Sequence, residues 1–267
     1  MENKQVTLLR CIGVLVITVF LVGLSIVLTD KDNEQNNVHY AEDHPTVDDV
    51  LKSSGEYVRN HKNLFDDATK SLKTFNHPDH FVVAWIGEVP LTISELEFRK
   101  GLQASVNPAQ GKLNAVFNEL VEEKILINEA VHKGLLPTNA EIDEFLSIHK
   151  EKYKSDPEYR DGVNKLIQSW DISEDEYWQE YEWYNAFRII VIEKVYKDMI
   201  SGAKKAGKLS EIRTTDNDSE VMKKQETAKS CWEQYKMELK KKANVKVNND
   251  FANQEEYKVD QDKWYLS

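Results

Sequence analysis

Two rhythms of apolar and polar positions run through this chain. The first is short and β-like. Over residues 81–98, FVVAWIGEVPLTISELEF, the strand formers Val82, Val83, Trp85 and Ile86 precede a two-residue Gly87-Glu88 turn, and residues 89–91 form a second short run. Glycine in the first turn position predicts a type II′ hairpin. Pro90 has no N–H to donate to a ladder, which predicts that the second strand lies at a sheet edge. A two-stranded hairpin is marginal in water, so a further strand is expected. The strand-like stretch available later is Val245-Lys246-Val247, apolar-polar-apolar. The pattern therefore predicts a small sheet that joins late residues to the middle of the chain.

The second rhythm is helical. Leu51, Val58, Phe65 and Leu72 recur every seven residues, interrupted by Ser54, Gly55 and His61. Residues 46–75 are thus expected to form one or two amphipathic helices that need a partner surface. Thr92-Ile93-Ser94-Glu95 reads as a capping box opening a helix that ends near Gly101 or Ser105, before Pro108. The clearest helix runs from about residue 110 to 133. Leu113, Phe117, Leu120, Lys124 and Ala130 follow its spacing, Val116, Val121, Ile125, Leu126 and Ile127 broaden its apolar face, and Gly134 stops it. A second box, Thr138-Asn139-Ala140-Glu141, starts a helix with Ile142, Phe145 and Leu146. Asp156-Pro157 opens a shorter one with Tyr159, Val163, Leu166 and Ile167. Ser173-Glu174-Asp175-Glu176 caps a long helix reaching Met199 or beyond. Residues 201–219, poor in apolar side chains, read as a linker. A last helix over about 220–243 carries Trp232, Tyr235 and Leu239 on one face. The tail, residues 251–267, shows no pattern beyond its late aromatics, Trp264 and Tyr265.

Composition and charge add a compartment. Residues 11–29, CIGVLVITVFLVGLSIVLT, carry no charge, and about 20 apolar residues cross a bilayer core. Lys4 and Arg10 precede the run, while Asp30, Asp32 and Glu34 follow it, so the positive-inside bias keeps the N-terminus in the cytoplasm and places the rest outside. No small-x-small cleavage pattern stands out near Thr29, and the segment reads as an uncleaved single-pass anchor. The polar residues 30–45 form a spacer. A net charge of −11 argues against nucleic acid and against docking on anionic lipid. Lys240, Lys241 and Lys242 read as a solvated helix face. Of the 2 cysteines, Cys11 lies in the anchor and precludes a disulfide with Cys231, which reads as a packed or idle thiol.

Taken in order, these residues resemble the SurA/PrsA-type extracytoplasmic chaperones, whose N-terminal domain also resembles the peptide-binding part of trigger factor. The resemblance is carried by residues 84–96 (AWIGEVPLTISEL), by residues 120–141 (LVEEKILINEAVHKGLLPTNAE) and by residues 232–247 (WEQYKMELKKKANVKV). It covers residues 82–205 and 228–248. It implies a mainly α fold with a small β-sheet, a SurA N-terminal-like helical module behind the N-terminal transmembrane helix. The chain departs from the family in its Gly87-Glu88 turn, where Asn-Gly is common, and in its spanning helix, where many members carry a lipid. The family also typically inserts a parvulin-type prolyl isomerase domain before the closing helix. Here that slot holds only the linker, too short for an independent domain. The implied division is an anchor (1–30), a spacer and amphipathic segment (31–80), the core (81–205), the linker (206–219), the closing helix and strand (220–250) and the tail (251–267).

The densest candidate site is EYWQEYEWYNAFRIIVIEKV, residues 176–195. At about 100° per residue, Tyr177, Tyr181, Tyr184, Val191 and Val195 share one face, and Trp183, Phe187 and Ile190 form a second stripe. Either both faces pack between neighbouring helices, or Trp178, Trp183, Phe187 and Ile190 line a groove for peptide, where aromatic rings offer sequence-tolerant contact. His77 and His80 flank Asp79, but no third His or Cys ligand accompanies them, so no metal or other cofactor is expected. His132 and His149 read as solvated. Glu122, Glu123, Glu174, Asp175 and Glu176 read as structural. No nucleophile constellation or phosphate loop is visible, and no catalysis is expected. The expected function is holdase-like binding of unfolded or newly exported polypeptide at a bacterial cell membrane. A scaffold for one dedicated envelope partner is the alternative, with residues 46–75 as its docking element, and a prolyl isomerase is a distant third. The sequence leaves dimerisation open.

Overall fold

The computed structural model describes residues 46–75, 78, 81–213 and 215–266. The expected anchor and spacer and the His77/His80 pair lie outside the described residues. Among the described residues, no helix is long and apolar enough to cross a membrane.

The architecture is mainly helical with one small antiparallel sheet. In chain order the elements are α1 (Val47–Asn60), α2 (Lys62–Thr74), β1 (Val82–Ile86), β2 (Val89–Thr92), α3 (Ile93–Val106), α4 (Leu113–Lys133), α5 (Asn139–Ser155) and α6 (Pro157–Trp170). A short α7 (Glu174–Glu176) runs through a π-helical turn (Tyr177–Tyr181) into α8 (Glu182–Lys205). Residues 206–217 connect to α9 (Asp218–Lys242), and β3 (Val245–Val247) and a 3₁₀ turn (Glu255–Tyr257) follow.

The sheet has the order β2-β1-β3. Ala84, Trp85 and Ile86 lie opposite Val247, Lys246 and Val245. The ladder is extended by Asn248 N–H donating to the Val83 carbonyl at 2.8 Å and Gly87 N–H to the Asn244 carbonyl at 3.0 Å. The strand expected from the end of the chain thus completes the hairpin, and β2 with Pro90 is an edge. Gly87 has φ +58° while Glu88 has no positive φ, as a type II′ turn requires. The turn is held from α4: Glu88 N–H donates to Asn128 Oδ1 at 3.2 Å. A Cβ on Gly87 would lie 2.3 Å from that same oxygen.

Helix α4 is the axis of the fold. Every residue in 120–127 is buried, and eight consecutive residues cover more than two turns at about 3.6 per turn. No face of this stretch meets water. One side carries the sheet: Val83, Ala84, Ile86 and Leu91 pack with Leu96, Val116, Phe117, Leu120, Val121 and Ile125. The other sides face the helical core, which Leu126, Ile127 and Ala130 share with Tyr184, Phe187 and Val191.

Residues 46–75 are a full part of that core. They break into α1 and α2 at His61, and Leu51, Val58, Phe65 and Leu72 are all buried. The polar interruptions that weaken the stripe have a packing reason. Ser54 and Gly55 are buried where α1 crosses α6, and a Cβ on Gly55 would lie 2.2 Å from Ser169 Oγ and 2.3 Å from its carbonyl oxygen. Small side chains are therefore what allow the two helices to approach. Trp170 Nε1 donates to Ser54 Oγ at 3.4 Å and the Ser169 hydroxyl to the Leu51 carbonyl, tying the crossing together.

Capping follows the sequence with one exception. The boxes at Thr138/Glu141 and Ser173/Glu176 are complete. At α3, Thr92 accepts from Glu95 N–H at 3.2 Å, but the Glu95 side chain does not return to the cap. It turns into the core, where a buried cation offers a stronger partner than a backbone N–H.

Candidate polypeptide-binding surface

The aromatic helix is packed on both faces. Trp178, Phe187 and Ile190 are buried in the helical core, and Trp183 is half-buried, stacked on Phe187 at 5.6 Å with Lys73 Nζ 4.6 Å above its ring. Of the two readings left open by the sequence, this structure shows the packed one: the stripe is core, with Trp183 at its edge. Its tyrosine face is covered by α2: Phe65 lies flat on Tyr181 with ring centroids 4.0 Å apart. A helix with two apolar faces must be covered on both, and residues 46–75 supply the second cover.

Three consecutive charges on α4, Glu122-Glu123-Lys124, are buried, and successive residues turn by about 100° so each finds different partners. Lys124 Nζ pairs with Glu95 Oε1 at 2.7 Å, and that oxygen also accepts from Tyr184 O–H at 2.9 Å. Burial raises the Tyr184 hydroxyl far above its usual range, and the Glu95 carboxylate adds to this. Glu123 Oε2 accepts from Arg99 of α3 at 3.4 Å and from Arg188 of α8. Burial pushes the Glu123 carboxyl up, but the Arg188 and Arg99 guanidiniums outweigh it and hold the group at about 2.

Glu122 faces the third direction, toward the tail. Its Oε1 pairs with Lys240 of α9, both side chains being wholly buried. Its Oε2 accepts from the backbone N–H groups of Tyr265 and Leu266, at 2.6 Å each. Burial raises the Glu122 carboxyl above its usual range, against the opposing pull of Lys240 and the two backbone donors. Lys240 is thus not part of a solvated face. Its Nζ also donates to the Lys263 carbonyl.

Four and eight residues earlier on the same face of α4 stand Asn118 and Asn114. Asn118 Nδ2 donates to the Lys258 carbonyl at 3.1 Å while Oδ1 accepts from Asp260 N–H at 2.8 Å. One side-chain amide thereby satisfies a carbonyl and the N–H two residues on, as a neighbouring parallel strand would. Asn114 Nδ2 faces the carbonyls of Glu255, Glu256 and Lys258 at 3.4, 3.2 and 3.3 Å. Asn114, Asn118, Glu122 and Lys240 form a ladder of side chains that hold a stretch of chain by its backbone. Of the held residues, Glu255, Glu256, Lys258 and Lys263 are exposed, Asp260 and Tyr265 are partly buried and Leu266 enters the core at 6% exposure. Tyr257, Val259 and Trp264 between them pack on the core.

This ladder is the feature of the candidate site that sequence patterning missed. The i, i+4, i+8 spacing of Asn114, Asn118 and Glu122 is visible in the sequence, but its partners are backbone groups that leave no mark there. His149 also departs from expectation: it is partly buried, with Nδ1 2.6 Å from Glu182 Oε1 and its ring against Phe145. His132 is exposed. No family model matches the chain, and neither a curated protein nor a solved structure matches it significantly.

Proposed function

We propose that the protein is a membrane-anchored, extracytoplasmic chaperone-like protein of the SurA/PrsA type, which binds unfolded or newly exported polypeptide without covalent chemistry. The observation that carries this reading is the ladder of Asn114, Asn118, Glu122 and Lys240, which grips chain through carbonyls and N–H groups common to every sequence. Recognition of that kind is sequence-tolerant, as client binding requires. Two features of the fold support it. The late strand β3 closes on β1, in the order of elements the resemblance implies. The slot between α8 and α9, where the family typically carries its isomerase, holds residues 206–217. The scaffold alternative relied on residues 46–75 as a docking element, and their apolar stripe is buried inside this body.

The test is aggregation of a chemically denatured reporter protein diluted into buffer with the full chain in lipid nanodiscs, against empty nanodiscs. Light scattering is expected to fall as the chain approaches the reporter's molar concentration. Unchanged scattering at several-fold molar excess would refute the reading. A proline-peptide isomerisation assay with the same sample is expected to stay at background.

A further inference from the structure

Resting on that reading, we infer that residues 255–266 are an internal occupant of the polypeptide-binding surface, a strap that unfolded chain displaces. Three observations support this. First, the strap's backbone is held by bonds any chain can offer, alongside the packing of Tyr257, Val259, Trp264 and Leu266 on the core. Asn114 takes its carbonyls, Asn118 a carbonyl and an N–H, Lys240 one carbonyl, and Glu122 two successive N–H groups. Exchanging one extended segment for another conserves these bonds. Second, the strap has little regular structure to lose: the 3₁₀ turn Glu255–Tyr257 and the bonds of the Asp260 carboxylate to Asp262 N–H and Tyr265 O–H, and its side chains at 258 and 261–263 are exposed. Third, the strap borders an open depression beside Asn114, lined by Glu255, Glu256, Lys258, Val259 and Asp260. The receiving groups, by contrast, are built in. Asn118 and Glu122 are buried on an axial helix, and Lys240 is buried between that helix and the strap.

The ligand class follows from the same geometry. It is an extended polypeptide that offers two adjacent N–H groups to Glu122 and a carbonyl to Lys240, with an apolar residue at the position of Leu266. Segments with proline at either of the two N–H positions are rejected, because proline cannot donate to Glu122.

The experiment uses the full chain in nanodiscs and a fluorescent peptide of residues 254–266. Tyr265→Pro/Leu266→Pro removes both donors to Glu122 and loosens the strap in cis. Fluorescence anisotropy is expected to show the peptide binding at least tenfold more tightly to this variant than to the wild type, whose own strap competes. Adding Asn118→Leu to the loosened variant is expected to abolish the gain. Hydrogen exchange of the wild-type chain gives a readout that does not depend on a variant folding. Denatured reporter protein is expected to speed exchange at the amides of Asp260, Tyr265 and Leu266 several-fold, leaving α4 protected. Equal peptide affinity for both forms, or exchange at those amides that the reporter leaves unchanged, overturns the inference. If scattering is still suppressed in that case, clients are held elsewhere and the chaperone reading stands. If suppression is absent as well, both fall.

Discussion

Glu123→Gln offers the most quantitative test of the buried charges. The Glu123 carboxyl is wholly inside the protein, and the net effect of Arg188 and Arg99 against burial is a value near 2, whereas an unfolded-chain glutamate titrates near ~4.3. A displacement of roughly two units at ~1.4 kcal/mol per unit makes the ionised form worth about 3 kcal/mol to the folded state. The folded value lies below the unfolded one. The contribution is therefore complete above about pH 4.3 and is lost as pH falls through about 2, below which both states hold the proton. Glutamine keeps the shape and one acceptor oxygen but cannot titrate. Denaturant unfolding, followed by tryptophan fluorescence, should be measured for both proteins between pH 2 and 7. Every other carboxylate titrates in both and cancels in the difference. Expected is a gap of about 3 kcal/mol at neutral pH that closes through the window below about pH 4.3. A gap of constant size from neutral pH to pH 2 would refute the reasoning, because the loss would then be steric rather than ionic.

Other outcomes follow from the same coordinates. Gly55→Ala should destabilise by about 1–3 kcal/mol, read as a lower denaturant midpoint. Ser169→Ala should not rescue it, since the Ser169 carbonyl oxygen also lies 2.3 Å from the new Cβ. Lys124→Met should cost roughly 3–5 kcal/mol, by leaving Glu95 charged and buried, whereas Lys124→Met with Glu95→Leu and Tyr184→Phe should recover most of it; a triple variant no better than the single one would contradict this. Gly87→Ala should lower the thermal midpoint, because it meets both a positive φ and Asn128; adding Asn128→Ala should restore only the part due to the clash.

Most elements could be read from the sequence because their causes are local. The box Thr138/Glu141, the Asp156-Pro157 start and Gly134 with φ +64° act within a few residues and write themselves into the pattern. The long-range closure of β3 on β1 was also legible, since a hairpin needs a third strand and few candidates existed. What stayed hidden depends on who stands opposite. Ser54 and Gly55 look like flaws in a stripe until α6 crosses them. The second stripe on α8 looks available until Phe187 and Ile190 are seen inside the helical core, with Trp183 packed against it. Glu95 suits a cap, and nothing nearby in sequence says that Lys124 will claim it. The π-helical turn at Tyr177–Tyr181 shifts the phase of a helix whose residues give no sign of it.

The triplet Glu122-Glu123-Lys124 divides the molecule by the kind of partner each charge has. Glu123 and Lys124 are answered by side chains on α3 and α8, helices that are themselves locked into the core. Losing either partner leaves a buried charge, so those contacts resist change. Glu122 is answered by one lysine and by two backbone N–H groups of a segment without regular structure. Backbone donors are interchangeable where side-chain partners are not. Two of the three adjacent charges therefore fix the body, while the third sits where its partner can be exchanged at nearly constant hydrogen bonding. On the proposed reading, a polypeptide-binding surface combines a rigid frame with a replaceable occupant, and α4 would present the two one residue apart.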